Sequence, residues 1–292
     1  MLTGVVKKSY SGFHYVRVGD RVWECSLRGR FRLTKQSILV GDLVRIKVLD
    51  EQKGKGVVDE ILPRKTQMDR PPVANVDQVV IVAAIKDPDL SRELLDRMLV
   101  MTEALGLAPL ICFNKADLAN AEEIKKLTDI YGPCYRTLVT SAVTDQGIEQ
   151  LRELLKDRVS VFAGPSGAGK SSLLNEVQPG LSLKTGEVSA KIGRGRHTTR
   201  HVELLDLESG GMVADSPGFS TLYLPEVKKE DLAGLFPEFR KYAGACKFNG
   251  CLHYAEPNCA VKLAVTAGNI FPCRYEHYLH FLHEVAAMER KF

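Results

Sequence analysis

The segment Gly164–Ser171 has the residue types and spacing of a phosphate-binding loop. It reads Gly-Pro-Ser-Gly-Ala-Gly-Lys-Ser, between a strand-type run ending at Ala163 and a helix-type run beginning at Ser172. Glycines let backbone N–H groups close around phosphate oxygens, and a helix N-terminus adds a favourable dipole. Lys170 is predicted to neutralise phosphate charge and Ser171 to hold Mg²⁺. The predicted phosphate-side residues of the nucleotide site are Ala163, Gly164, Pro165, Ser166, Gly167, Ala168, Gly169, Lys170, Ser171 and Ser172.

A second motif, Asn114-Lys115-Ala116-Asp117, has the residues that select a guanine base. The Asp117 carboxylate can accept both the N1–H and the exocyclic amino group of guanine, and adenine offers neither donor there. Ser141 and Ala142 follow the next strand-type run, and the Ala142 N–H is predicted to reach guanine O6. The predicted nucleotide is therefore GTP, with GDP as its product.

Two further segments have the residues expected around the γ-phosphate. In Asp215-Ser216-Pro217-Gly218, Asp215 is predicted to orient the Mg²⁺ shell and the Gly218 N–H to meet the γ-phosphate. The basic, glycine-rich segment 193–200 occupies the position of switch I. Either Thr198 or Thr199 is expected to complete the Mg²⁺ shell, and Thr199 is preferred. The alternative for this segment is a basic loop without such a role.

The order of these motifs is unusual, because the base-reading motif precedes the phosphate loop and Asp215–Gly218 comes last. A conventional GTPase domain opens with the phosphate loop, so the chain is predicted to be circularly permuted. Strand-type runs alternate with helix-type runs over 76–228, and Gln78–Ala84 is continuously apolar after its first residue, as in a buried parallel sheet. The fold class is therefore an α/β P-loop GTPase domain over 76–228, with each motif just after a strand.

A cluster of thiols and one imidazole marks the C-terminal region, predicted as a helical zinc-binding domain over 229–292. Cys246, Cys251, His253 and Cys259 supply a Cys₃His set, which suits one tetrahedral Zn²⁺ with no open position and hence a structural role. The alternative is four unrelated buried side chains. Seven cysteines is an odd number, which argues against a complete disulfide framework.

Residues 1–62 contain about five short runs of alternating apolar and polar residues, which predicts a small all-β barrel of OB type. A structural barrel of SH3 type is the alternative. Residues 1–70 contain 15 Lys and Arg against 8 Asp and Glu, which favours a polyanionic partner or a solvated basic face. Prolines 63, 71 and 72 interrupt regular structure, so 63–75 is predicted to be a linker. The candidate RNA-binding residues are Arg28, Arg30, Arg32 and Lys35, which flank Phe31.

The apolar runs are too short for the roughly 18 residues of a transmembrane helix, and the first residues lack a signal-type apolar stretch. The expected protein is a cytoplasmic monomer with no membrane partner.

Taken together, these motifs resemble the RsgA family of circularly permuted GTPases of small ribosomal subunit biogenesis. The resemblance rests on Gly164–Ser172, on 193–201, on Asp215–Phe219 and on the Cys₃His set, and it extends over essentially all 292 residues. It implies a bacterial Mg²⁺-dependent GTP hydrolase that binds the 30S ribosomal subunit and its 16S rRNA late in maturation. It also implies that the particle stimulates hydrolysis and that hydrolysis releases the protein.

The group that positions the attacking water stays open. Phe219 stands where Ras-like enzymes have glutamine, and a phenyl ring cannot polarise water. His197, ribosomal RNA and a bound ion are the candidates. Gly167 stands where some potassium-activated GTPases carry asparagine, which argues against a potassium requirement. The alternative functions are a GTP-binding factor that acts on another RNA and a non-hydrolysing RNA-binding module.

Overall fold

The computed structural model describes residues 1–28, 31, 37–180, 202–215 and 224–289. Arg30, Arg32, Lys35, His197, Thr199 and Gly218 therefore lie outside the described residues.

Five strands at the front of the chain close into a barrel, because β1 pairs with both β2 and β4, and β3 pairs in parallel with β5. Alternate side chains point inward, including Val6, Val16, Trp23, Ile46 and Val58, which are all at least 96% buried. This arrangement confirms the predicted OB-type barrel. The strands are β1 Leu2–Tyr10, β2 Phe13–Val18, β3 Arg21–Leu27, β4 Leu43–Asp50 and β5 Lys55–Ile61.

The position of Phe31 limits the predicted RNA-binding surface of the barrel. Its side chain packs into the barrel core and is only 7% exposed, so the ring is not available on the surface. Arg28 forms an ion pair with Asp59 at the end of β5.

The predicted linker contains a two-stranded hairpin, β6 Gln67–Asp69 and β7 Pro72–Ala74. The expectation that prolines exclude strands here was wrong. Pro72 is the first residue of β7, a position that tolerates proline because the missing N–H leaves the rest of the ladder intact. Met68 and Val73 are buried in the core of the following domain, so the hairpin is part of the packed structure.

The GTPase sheet has the strand order β10-β9-β8-β11-β13-β12, parallel except for β12. Every residue of β8 is buried, which confirms the prediction of a central strand. The winding proceeds outward from β8 in one direction and from β11 in the other, so the crevice for a ligand opens at the carboxyl ends of these two strands. The strands are β8 Gln78–Ala84, β9 Ala108–Asn114, β10 Arg136–Val139, β11 Val159–Ala163, β12 Glu203–Asp206 and β13 Met212–Asp215.

Among the described residues of this domain, four α-helices cover the sheet. The first is capped by Ser91, whose side chain accepts a hydrogen bond from the Leu94 N–H. Asn120 and Glu123 form a capping box at the start of the second helix. The helices are α1 Arg92–Ala104, α2 Ala121–Tyr131, α3 Ile148–Leu155 and α4 Lys170–Val177.

The C-terminal region packs its helices around buried aromatic rings, among them Phe236, Phe239, Tyr278 and Phe281. Its helices are α5 Lys229–Leu232, α6 Pro237–Ala243, α7 Ala260–Thr266 and α8 Pro272–Glu289. Within the described ranges, none of the helices combines the length and apolar character that crossing a bilayer requires.

Candidate nucleotide site and metal centre

The phosphate loop has the backbone conformation that only glycine supports at its two ends. Gly164 has φ +141°, and a Cβ there would lie 2.2 Å from the Val82 carbonyl oxygen. Gly169 has φ +93°, and a Cβ there would lie 2.3 Å from Asn114 Nδ2. The loop therefore lies directly against β8 and the base-reading motif, and side chains at these positions would push it away.

Lys170 begins α4 and turns its ammonium group back over the loop. Nζ donates to the carbonyl oxygens of Gly164 at 2.8 Å and Pro165 at 2.9 Å. Burial lowers the pKa of Lys170, so this charge is poorly solvated and suited to an anionic partner. Ser171 lies in the same first turn, half-buried, beside the place where phosphate oxygens would meet the helix N-terminus.

Asn114 links the base-reading motif to the phosphate loop. Its buried side chain donates from Nδ2 to the Ala168 carbonyl oxygen at 2.8 Å and accepts at Oδ1 from Thr140 Oγ1 at 3.1 Å. Two motifs separated by 54 residues in sequence are thus joined by one hydrogen bond. The structure brings the predicted base side and phosphate side of the pocket together.

Asp117 is oriented by the segment that follows β10. Ser141 Oγ donates to Asp117 Oδ1 at 2.5 Å and accepts from the N–H groups of Val143 and Thr144 at 3.2 Å each. This leaves Asp117 Oδ2 and the second lone pair of Oδ1 as acceptors for the two guanine donors. Ala142 follows the buried Ser141 and is itself half-buried, and the contact of its N–H with the base stays a prediction.

The residues predicted around the γ-phosphate are only partly described. Asp215 ends β13, which pairs in parallel with β11, the strand before the phosphate loop. His197, Thr199 and Gly218 lie outside the described residues.

The sequence pattern did not single out Thr140, although its hydroxyl fixes the amide of Asn114. It directly precedes Ser141 and is fully buried. Its position directly after a strand, immediately before Ser141, was the available signal.

The four predicted zinc ligands converge in the C-terminal region, with their donor atoms within 4.8 Å of one another. The sulfurs of Cys246 and Cys259 lie 3.9 Å apart, and His253 Nδ1 lies 3.5 Å and 3.3 Å from them. A tetrahedral site with Zn–S bonds of about 2.3 Å places its sulfurs about 3.8 Å apart. The donor set therefore fits Zn²⁺ in both chemistry and spacing.

Neighbouring side chains hold the ligand loop in place. Tyr275 Oη donates to the His253 carbonyl at 2.7 Å, and Glu256 accepts from the Leu252 and Tyr254 N–H groups at 2.8 Å and 2.9 Å. Burial raises the pKa of Cys251 to about 12, and the neighbouring thiols add to the shift. A bound cation would reverse this penalty on the thiolate, because metal binding displaces the thiol proton.

Comparison with known proteins identifies the family. A family model described as the RsgA GTPase matches residues 61–225, and the RsgA N-terminal domain model matches residues 3–58. The chain belongs to the RsgA GTPase family. Its members hydrolyse GTP, and this chain is accordingly a circularly permuted GTPase with an OB-type barrel in front.

Full-length relatives agree with the family assignment. The chain is 52% identical over 292 residues to a protein of Moorella thermoacetica named small ribosomal subunit biogenesis GTPase RsgA, covering all of both chains. It is 49% identical over 290 residues to the protein of that name from Carboxydothermus hydrogenoformans, covering 99% of each. Among solved structures it resembles YjeQ from Thermotoga maritima, with a TM-score of 0.87, 38% identity and 98% coverage of each chain. It also resembles YloQ, described as a circularly permuted GTPase, with a TM-score of 0.85, 39% identity and coverage of 99% and 96%.

Proposed function

We propose that this chain is a GTPase of small ribosomal subunit biogenesis that binds the 30S subunit and leaves it after hydrolysing GTP. The observation that carries the proposal is similarity over the whole chain to relatives named for that process. The site described above supplies the chemistry, since it joins a guanine-reading motif to a phosphate loop through Asn114. On this proposal the protein acts in the cytoplasm as a monomer and contacts 16S rRNA.

The site would bind the guanine base and the phosphates of GTP at the same time. Asp117 would accept the two guanine donors, and the Ala142 N–H would donate to O6. The N–H groups of 164–172 would surround the phosphates, and the Lys170 ammonium would exchange its carbonyl partners for phosphate oxygens.

Hydrolysis would depend on position and charge, with no covalent intermediate. Ser171 and Thr199 would hold the Mg²⁺ that accompanies GTP and offsets the charge on the phosphates. Asp215 would orient that ion's surroundings, and the Gly218 N–H would meet the γ-phosphate. His197 is the candidate on this chain for positioning the attacking water.

The two flanking regions would have different roles on the particle. The Cys₃His set would hold one structural Zn²⁺, and the barrel would place basic residues such as Arg28 against RNA. The proposed division is 1–62 for the barrel, 63–75 for a connection whose hairpin packs on the GTPase domain, 76–228 for the GTPase domain and 229–292 for the zinc-binding domain.

The decisive experiment is co-sedimentation with purified 30S and 50S subunits in the presence of a non-hydrolysable GTP analogue, GDP or no nucleotide. We expect selective retention on 30S with the analogue and release with GDP. Equal binding to both subunits would point to another RNA. Absence of GTP turnover with 30S present would point to the non-hydrolysing alternative.

Base selection can be tested separately with Asp117→Asn. Xanthine carries an oxygen where guanine carries its amino group, so the amide should shift preference from guanine to xanthine nucleotides. Glu123→Gln, on the next helix, is the control and should leave GTP preference intact. Equal binding of ATP and GTP by the unaltered protein would contradict the role of Asp117.

A further inference from the structure

A short segment between β8 and α1, Ile85–Pro88, touches both halves of the nucleotide site. It starts at the base side, where the Ile85 N–H donates to the Asn114 carbonyl oxygen at 3.0 Å. It ends at the phosphate side, where a Cβ placed on Gly167 would lie 3.4 Å from Pro88 Cδ. The segment therefore forms a wall of the pocket between the base-reading motif and the phosphate loop.

Asp87, in the middle of this segment, holds the side chain of Lys115. Lys115 Nζ donates to the Asp87 carbonyl oxygen and lies 3.5 Å from the Asp87 carboxylate. Both residues have left-handed backbone conformations, with φ +50° at Asp87 and φ +58° at Lys115. Two unusual turns thus bring one carbonyl and one ammonium group together.

The contact with Asp87 reduces the rotamer freedom of Lys115, a side chain that the bound nucleotide is proposed to contact. A free lysine loses about 2 kcal/mol of rotamer entropy when it is fully immobilised. Lys115 is already held by Asp87, and its side chain is only 26% exposed. Its aliphatic part is therefore ordered beside Asn114 before a base arrives.

We propose that Asp87 is a positioning residue for guanine-nucleotide binding, which acts by holding Lys115 in its binding conformation. The inference rests on the proposed place of Lys115 in the nucleotide pocket. An exposed charge pair contributes modestly, so the Asp87 carboxylate should change affinity by about two- to five-fold. Its charge alone would act in the opposite direction, because a carboxylate near the pocket repels nucleotide phosphates.

The test measures dissociation of a fluorescent GDP analogue from the full-length chain at low salt. We expect Asp87→Ala to release the analogue about two- to five-fold faster, and the difference to shrink in high salt. The rate of a single turnover of prebound GTP should change less than the release rate, since the contact does not involve the γ-phosphate. Asp89→Ala is the matched control, because Asp89 is exposed, carries the same charge and forms no ion pair with the described residues.

Two further variants separate positioning from a general structural effect. Lys115→Met should remove most of the effect of Asp87→Ala in a double-mutant cycle. Asp87→Asn keeps a residue type that tolerates positive φ, and it tests the charge if the alanine variant does not fold.

The inference would be overturned if Asp87→Ala released the analogue more slowly than the unaltered chain, or if its release rate changed no more than that of Asp89→Ala. Additive effects of Asp87→Ala and Lys115→Met on the release rate would overturn it as well. If the unaltered chain fails to bind the analogue, the nucleotide assignment itself fails. If the unaltered chain binds the analogue normally and Asp87→Ala does not change its release, only the positioning role of Asp87 is wrong.

Discussion

The GTPase domain is joined to its two neighbours in different ways. The barrel is attached through main-chain pairing together with partly exposed ion pairs: β1 pairs with β12 at Lys8 and Glu203, and Lys7 lies 2.6 Å from Asp206, whose side chain is 46% exposed.

A second main-chain contact lies at the other side of the junction, where the Ala74 N–H donates to the Val40 carbonyl oxygen at 2.8 Å. The approach is close at Gly41, where a Cβ would lie 2.1 Å from the Ala74 carbonyl oxygen.

The zinc-binding region is attached through side chains, with α8 and α6 against α1. Arg274 is 3% exposed and lies 2.5 Å from the fully buried Asp96 and 2.6 Å from Glu238. Around this buried group, Arg97 binds Glu284 with two hydrogen bonds of 2.8 Å and 2.7 Å.

The difference indicates which changes should separate the domains. Main-chain pairing tolerates the loss of a side chain, because the hydrogen bonds belong to the backbone. A buried charge network does not, because removing one member leaves its partners desolvated with one counter-charge fewer. Substitution of a buried charge should therefore act strongly at the zinc side, and substitution of an exposed side chain such as Glu203 should act weakly at the barrel side.

Metal removal should have the largest effect. Structural zinc contributes about 10–16 kcal/mol in isolated finger peptides, so a strong chelator should unfold the ligand loop around Cys246–Cys259 first. Hydrogen exchange should show lost protection there while the barrel stays protected. Cys259→Ser should reproduce this and Cys134→Ser, outside the cluster, should not. Uniform loss of protection along the chain would contradict the prediction.

Removal of the buried Arg274 guanidinium should have the second-largest effect. Arg274→Met leaves Glu238 without its ion pair and leaves Asp96 with only His277, at 2.6 Å, so it should destabilise the chain by about 3–5 kcal/mol. Denaturant unfolding measures the change. Arg240→Met is the control, because its pair with Glu103 is half exposed on the arginine side and should contribute less than about 1 kcal/mol. Similar losses in the two variants would show that burial does not distinguish these pairs.

At the barrel, a methyl group placed against the neighbouring backbone should lower stability more than the loss of an exposed charge. Gly41→Ala adds a methyl group against the Ala74 carbonyl at a residue with φ +89°, and we expect a loss of about 1–3 kcal/mol. Gly12→Ala is the matched control, since it has φ +83° but nothing within 4 Å of the added carbon. Thermal unfolding should show the larger loss for Gly41→Ala, and equal losses would mean that the close approach is unimportant.

The smallest effect should follow from Glu203→Gln. It removes the exposed ion pair with Lys8, at 2.9 Å, but leaves the β1–β12 pairing intact, so the change should be below about 1 kcal/mol. Limited proteolysis should show the barrel still attached. Release of the barrel in this variant would show that the junction depends on charge after all.

Much of the nucleotide site was predictable because its motifs are local. Each one follows a strand, and the carboxyl ends of neighbouring parallel strands meet at one edge of the sheet. The zinc ligands were predictable for a similar reason, since only 13 residues separate Cys246 from Cys259. The hairpin in the predicted linker could not be predicted from its own residues, because Met68 and Val73 stabilise it by packing into the core of the GTPase domain.

Sequence alone determined the order of the motifs, the alternation of strands and helices, and the chemistry that each short motif can perform. These are properties of neighbouring residues. Side chains repeat every 2 residues in a strand and about every 3.6 residues in a helix, so the spacing of apolar residues in the sequence shows them directly. Only the tertiary structure decided that Asn114 meets Ala168, that Asp87 holds Lys115 and that Arg274 lies between Asp96 and Glu238. Those pairings join residues far apart in the chain, and packing of whole elements selects them where local pattern cannot.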